Sequence, residues 1–221
     1  SPLFCSSVRS RTGCLGRAPV GYFSWLKPIE NTIFESNNGS LVFVESDVTM
    51  SEFISQTDCI KFAFSNVIST NFTNNQPSLE FIDGKCAPIS SRTTIFTNTD
   101  FTDNVNNNPN VGGGAIFTEA DDKSTFTKCN FENNFSVSNS SAVEVSVNTK
   151  IPASQRQVIF ESCTFSKNTA NILSGFMGSV AILPNERYEN EFASCTTDNG
   201  EEEVSFKKVS AIFSKCTFND L

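Results

Sequence analysis

An all-β fold, a right-handed parallel β-helix of about seven coils, is what this sequence predicts, and three observations predict it. An eleven-residue unit recurs, apolar residues alternate with a period of two in short segments, and no stretch carries a helical period. The unit is clearest at 158–168, Val-Ile-Phe-Glu-Ser-Cys-Thr-Phe-Ser-Lys-Asn. It returns at 124–134 and 94–104, and in part at 209–218. Its pattern is Phe, then Cys or a small polar residue three later, Phe two after that, and Asn three further on. Repeats at a period of about 30 residues signal stacked architectures.

The positions follow from that pattern. Phe96, Phe126, Phe160 and Phe213 are expected to stack as one interior file, and Phe101, Phe131, Phe165 and Phe218 as a second. Five residues separate the two phenylalanines of a unit. On one straight strand they would face opposite sides, so both point inward only if the chain turns between them. Lys128 or a neighbour is the expected corner. Asn104, Asn134 and Asn168 close their units, where a side-chain amide can satisfy corner backbone groups and ladder from coil to coil. Anchors are read at Phe34, Phe64, Phe96, Phe126, Phe160, Phe192 and Phe213.

A second element lies between anchors: Gly113-Gly-Ala-Ile116, Ser140-Ser-Ala-Val143, Gly39-Ser-Leu-Val42 and the longer Gly178–Ile182. Short alternating strands follow it, as at 142–147. Strands of successive coils then run parallel about 4.8 Å apart, and parallel crossovers are right-handed. Seven coils at that spacing make a rod of roughly 30–35 Å.

Residues 1–30 do not fit the repeat and are read as an N-terminal cap, with Tyr22, Phe23, Trp25 and Leu26 covering the end of the stack. Residues 31–221 are read as the repeat domain, broken off inside a unit, so that the chain is a piece of a larger polypeptide.

Composition narrows the class. The chain has 221 residues, a formal charge of -8, and 22 Phe against 2 Tyr and 1 Trp. Phe has no polar tip, so this excess indicates a dry, stacked interior. An acidic body repels phosphate backbones and excludes nucleic-acid binding. No apolar run is long enough to cross a bilayer, so no membrane insertion by this segment is expected.

Eight Cys occur without a single His. Paired Cys-x-x-Cys spacing is absent, so no metal site and no cofactor are predicted. Cys129, Cys163, Cys195 and Cys216 share one slot of the repeat and are expected as an interior ladder of reduced thiols. In-register side chains on parallel neighbours point the same way, which opposes the torsion of a disulfide. Bridges are expected instead at Cys5–Cys14 and Cys59–Cys86. Sequons at Asn38, Asn71, Asn134 and Asn139, with the cysteines, indicate a secreted or cell-surface protein. Asn134 doubles as a corner residue and is expected to be a poor acceptor; Asn38, Asn71 and Asn139 are the better ones.

The alternation of Gly113–Ile116 and its relatives with Phe-x-x-Asn (Phe72–Asn75, Phe101–Asn104, Phe131–Asn134, Phe165–Asn168) resembles the repeats of polymorphic membrane proteins, chlamydial autotransporter adhesins with related proteins on protist surfaces. The resemblance covers residues from about 31 to 221. It implies a β-helical passenger at a cell surface with adhesive or structural roles. Only one clean Gly-Gly-Ala-Ile is present, and the cysteine content departs from bacterial passengers. A non-enzymatic adhesin or scaffold is therefore expected, with the rest of its polypeptide, a host-cell protein or glycan, or neighbouring copies as partners.

The rival is a β-helical lyase or hydrolase of acidic polysaccharides. Its candidate carboxylates are Asp121-Asp122, Asp100 with Asp103, and Glu201–Glu203. The first and last groups read as solvated turns. Without His, any His-dependent mechanism is excluded, and a Cys nucleophile has no partner base. No catalytic residue is assigned.

Overall fold

The computed structural model describes residues 21–24, 28–37, 39–77, 87–120, 123–138, 140–147, 157–171, 179–184, 195–196, 202–203 and 210–219. The chain forms a right-handed parallel β-helix whose coils each contribute one strand to each of three seven-stranded sheets. The first sheet runs Gly21–Ser24, Leu41–Val44, Ile60–Ala63, Ile89–Arg92, Ile116–Ala120, Val143–Val147 and Val180–Pro184. The second runs Ile29–Glu30, Asp47–Thr49, Asn66–Ile68, Ile95–Thr97, Ser124–Thr127, Gln157–Glu161 and Ser210–Ser214. The third runs Ile33–Glu35, Glu52–Ile54, Asn71–Thr73, Asp100–Thr102, Asn130–Glu132, Thr164–Ser166 and Thr217–Asn219. A short fourth sheet joins Val105–Asn106, Phe135–Ser136 and Thr169–Ala170.

Parallel, in-register pairing sets every side chain above its equivalent, and the expected ring files follow. Phe96, Phe126, Phe160 and Phe213 stack at 5.1, 4.8 and 4.9 Å between centroids. Phe101, Phe131, Phe165 and Phe218 stack at 4.6, 4.8 and 4.8 Å. The two files meet edge to face, as at Phe126–Phe131 with an interplanar angle of 60°. That geometry sets the positive ring edge against the negative face.

The coil count matches expectation, but two coils are not where the anchors put them. Phe34 belongs to the second file: it stacks on Phe53, and Phe53 on Phe72. Nineteen residues separate coil equivalents there, as Asp47 and Asn66 do, against 30 between Asn104 and Asn134. A search at a period of about 30 therefore steps over the short coils. Phe64 is not interior. It takes a left-handed backbone (φ 52) at a corner, which turns its ring outward, where Arg92 lies over it at 6.0 Å. Phe192 lies outside the described residues; Gln157–Glu161 pairs directly with Ser210–Ser214. Two strands inside the expected cap segment, Gly21–Ser24 and Ile29–Glu30, already pair with Leu41–Val44 and Asp47–Thr49.

The short coils fill the same cross-section differently. In coils two and three the first sheet supplies Phe43 and Phe62 while the second supplies Val48 and Val67. From coil four the ring moves to the second sheet, at Phe96 onward, and the first sheet carries Ser91, Thr118 and Val145 inward. Each of coils two to six thus turns two phenylalanines into the central core, and their summed volume is conserved through the switch. Phe62 meets Phe96 edge to face at 6.0 Å where it happens.

Among the described residues sixteen non-glycines have positive φ, including Met50, Ser69, Asn98, Lys128, Ser162 and Lys215 between the second and third sheets. Lys128 is the corner expected from the sequence. A left-handed residue costs roughly 1–2 kcal/mol for most side chains, so each corner needs a compensating bond, described below. Glycine is required at the remaining tight point. Gly113 has φ 82, and a Cβ on Gly112 or Gly114 would meet the Glu144 carboxylate or the Ser141 carbonyl at 2.1 Å. The Gly112–Gly114 run is thus where residues 107–114 fold against the first sheet.

A direct check on the files is truncation. Phe131→Ala should lower unfolding stability by about 3–5 kcal/mol, because Phe131 is wholly buried between two rings. Phe64→Ala should cost less than about 1 kcal/mol. Urea denaturation of both variants measures the difference, and equal losses would contradict the assignment of Phe64 to the outside.

Candidate functional site

Three ladders of side chains close the corners, and they obey one rule: the residue after the left-handed one turns inward and caps a carbonyl. Between the first and second sheets the caps are Ser46, Ser65 and Thr94, donating to the carbonyls of Val44, Ala63 and Arg92 at 3.0, 2.9 and 3.0 Å. Between the second and third they are Thr32, Ser51, Thr70 and Thr99, at 3.1, 2.9, 3.1 and 3.1 Å. Cys129, Cys163 and Cys216 continue that ladder, donating to Thr127, Glu161 and Ser214 at 3.6, 3.5 and 3.5 Å.

After the third sheet the caps are amides. Asn75, Asn104 and Asn134 donate from Nδ2 to the Oδ1 of Asn104, Asn134 and Asn168, each at 2.9 Å. The same Nδ2 groups reach the Phe53, Phe72 and Phe101 carbonyls, and Asn168 reaches Phe131. The backbone N–H groups of Asn75, Asn104 and Asn134 donate to the next Oδ1. Both amide functions of Asn104 and Asn134 are consumed in the interior. The ladder extends further than Asn104, Asn134 and Asn168: Asn75 Oδ1 accepts from Gln56 N, and Gln56 Oε1 from Asn37 Nδ2. The spacing Phe34–Asn37 repeats the Phe-x-x-Asn signal and could have revealed it. Gln56 could not be found that way, because Gln replaces Asn.

The left-handed residue is Asn133, not Asn134. The two neighbours divide the work, Asn133 turning outward and Asn134 locking the corner. This bears on the sequons. Asn134 is fully buried with its Nδ2 engaged, so that nitrogen is closed to modification in the folded chain. Asn71 stands exposed on the outer face of the third sheet. Asn38 and Asn139 lie outside the described residues, as do Cys5, Cys14 and Cys86.

Cys129, Cys163 and Cys216 are free thiols, the first two buried. Cys195 does not join them. It lies in a two-residue strand paired antiparallel with Glu202–Glu203, off the coil stack. The repeat motif at Phe192–Cys195 has Thr197 where its second Phe would stand. Cys59 is disulfide-bonded. With Cys129, Cys163 and Cys216 free, its partner is among the cysteines whose side chains lie outside the described set. Burial pushes the Cys129 thiol well above its ordinary pKa, and it raises that of Cys216 as well.

The outer faces carry what remains. Residues 107–114 lie over the first sheet: Val111 packs with Ala87 and Phe117, the Asn106 amide donates to the carbonyls of Val111, Gly112 and Gly113, and Gly112 N donates to Glu144 at 2.9 Å. Across the second sheet, Asp47, Asn66, Ile95, Thr125, Ile159 and Ile212 form one outward file, and Ile68, Ile95 and Ile212 are exposed there. Across the third, Asn71, Asp100, Asn130, Thr164 and Thr217 form another.

Of the carboxylates weighed for acid–base chemistry, Asp100 faces outward from its strand, and partial burial raises its pKa. Asp103 occupies a left-handed corner and accepts from Asn133 Nδ2. Asp121, Asp122 and Glu201 lie outside the described residues. Among the described residues no three His, Cys, Asp or Glu side chains gather as a metal-binding group, and no helix is long and apolar enough to cross a membrane.

Two measurements test the ladders. Asn134→Ala removes the Nδ2 bonds to the Phe101 carbonyl and the Asn168 Oδ1, and it takes away the acceptor of the Asn104 N–H and of one Asn104 Nδ2 hydrogen, so unfolding stability should fall by about 3 kcal/mol; a loss under about 1 kcal/mol would mean the amide ladder carries no stability. The second concerns pH. A folded pKa above the unfolded value means that burial of the Cys129 thiol contributes fully below the unfolded thiol's pKa, about 8.5, and is lost as pH rises through the folded value. Urea midpoints recorded from neutral to alkaline pH should therefore fall more steeply above about pH 8.5 for the wild type than for Cys129→Thr.

Comparison with family models, with curated proteins and with solved structures found no match.

Proposed function

We propose that this chain is a non-enzymatic display scaffold, a rigid β-helical segment of a secreted or cell-surface protein that holds adhesive faces outward. One observation carries the reading: the interior is filled by ring files and satisfied capping ladders, while the second and third sheets present short polar and apolar side chains in register on their outer faces. A coil stack of this kind is stiff along its axis, because each coil hydrogen-bonds to the next on three sides. Stiffness and repeated spacing suit a spacer that projects a binding surface, and loops and sheet faces carry recognition in repeat proteins. The partner is a host-cell protein or glycan, and Asn71 is the outward sequon available to carry glycan on the scaffold itself.

The test is a cell-binding and glycan-array screen of the purified chain with face variants. Paired Ile95→Lys and Thr125→Lys substitutions alter the second-sheet face, and Asn71→Lys with Asp100→Lys the third; all four positions point outward, so folding should persist by circular dichroism. Loss of cell or glycan binding in one pair and not the other would support the reading and name the face. Release of reducing ends or unsaturated uronate from acidic polysaccharides by the wild type would overturn it in favour of a lyase or hydrolase.

A further inference from the structure

We infer that Cys129, Cys163 and Cys216 form a binding site for a soft, two-coordinate monovalent cation of the Cu(I) class, held on a line between stacked thiolates. The inference is independent of what the outer faces bind. It starts from a substitution inside one ladder. In the corner slot between the second and third sheets, the first four coils use the hydroxyls of Thr32, Ser51, Thr70 and Thr99, and only the last three coils use thiols. A thiol is a weak donor, and here each is shared between two carbonyls, its own coil's at 3.5–3.6 Å and the preceding coil's at 3.3–3.6 Å. Capping explains a hydroxyl at this position. It does not explain three consecutive sulfurs.

The geometry of the stack suits a bridging ion. In-register positions on neighbouring parallel strands lie about 4.8 Å apart. Two thiolate–metal bonds of about 2.3 Å laid end to end nearly span that distance. The side chains enter the interior across the stack axis, so an ion between two sulfurs sits along the axis and meets each Cβ–Sγ bond nearly at a right angle. A disulfide needs its sulfurs about 2.05 Å apart with a twisted torsion, and all three thiols are free. The three cysteines are true neighbours on successive coils: Thr164 N donates to the Cys129 carbonyl and Thr217 N to the Cys163 carbonyl, each at 2.9 Å.

The same arrangement selects the ion. Zinc takes four ligands around one point, and no group of three His, Cys, Asp or Glu converges among the described residues. A file offers two sulfurs at a time, in line. Soft thiolate ligands favour Cu(I), which accepts linear two-coordination. Cys163 stands on the coil between the other two, so every in-line pair of sulfurs includes it. On binding, two S–H protons pass to solvent and two sulfur–metal bonds form; no electron is transferred, and the bridged unit carries one negative charge. The cation thus neutralises one of two thiolates that burial would otherwise disfavour.

The experiment is an anaerobic titration of this chain, its Cys59 disulfide left intact, with Cu(I) supplied as its weak acetonitrile complex, competed against a Cu(I) chelator and followed by X-ray absorption. The variants are Cys163→Thr and Cys129→Thr, each placing in the slot the residue that Thr99 already provides, with folding checked by circular dichroism. Cys163→Thr leaves the remaining sulfurs two coils apart and should lose the tightly bound ion. Cys129→Thr should keep it, with two sulfur ligands in line. The inference is overturned if the wild type binds no Cu(I) more tightly than Cys163→Thr does, or if the absorption spectrum reports three or more sulfurs, which would place the ion on cysteines outside the file.

Discussion

The structure depends on the pairing of a left-handed residue with the inward side chain that follows it. Each coil must turn several times in few residues, and at the capped corners described above one residue takes positive φ. Left alone, such a corner costs conformational energy and strands a carbonyl in the interior. The next residue answers both problems. Its hydroxyl, thiol or amide donates to the carbonyl two positions back or to one on the coil beside it. Only short side chains can make that return, which is why Ser, Thr, Asn and Cys fill the slot and why Gln56 is the one longer member.

Once the corners are fixed, the interior follows. Strands of three or four residues leave room for only one or two inward side chains each, and registration places them directly over their equivalents. A flat ring stacks on a copy of itself without changing the coil outline, so Phe is the efficient filler. The ring's passage from the first sheet to the second between Phe62 and Phe96 shows that the constraint acts on the cross-section of the coil and not on any one position. Side chains that do not fit this economy are on the outside, as Phe64 is, or under the 107–114 segment, as Phe117 is.

The sulfur ladder continues a hydroxyl ladder: Thr99 caps the Thr97 carbonyl where Cys129 caps that of Thr127. Through the thiol coils the ring files run on unchanged, from Phe160 to Phe213 at 4.9 Å and from Phe165 to Phe218 at 4.8 Å. Sulfur therefore replaces oxygen in the slot without altering the packing around it, and what changes is the chemistry that the slot offers.

The sequence by itself determined the class of fold, the two ring files from Phe96 and Phe101 onward, and the amide corner at Asn104, Asn134 and Asn168. It could do so because stacking repeats the same chemical demand at a regular interval, and regularity is visible in one dimension. It also set Cys129, Cys163 and Cys216 in one slot, since each lies between two phenylalanines that fix its depth. Only the tertiary structure decided the rest. The 19-residue coils, the true place of Phe34 and the outward turn of Phe64 depend on which strands pair, and a Phe at a corner looks the same in sequence as a Phe in a file. Cys195 shows the limit most plainly. It has the anchor spacing of its relatives, yet Ser210–Ser214 takes the edge it would have needed, because hydrogen-bonding an existing strand is open to one partner only.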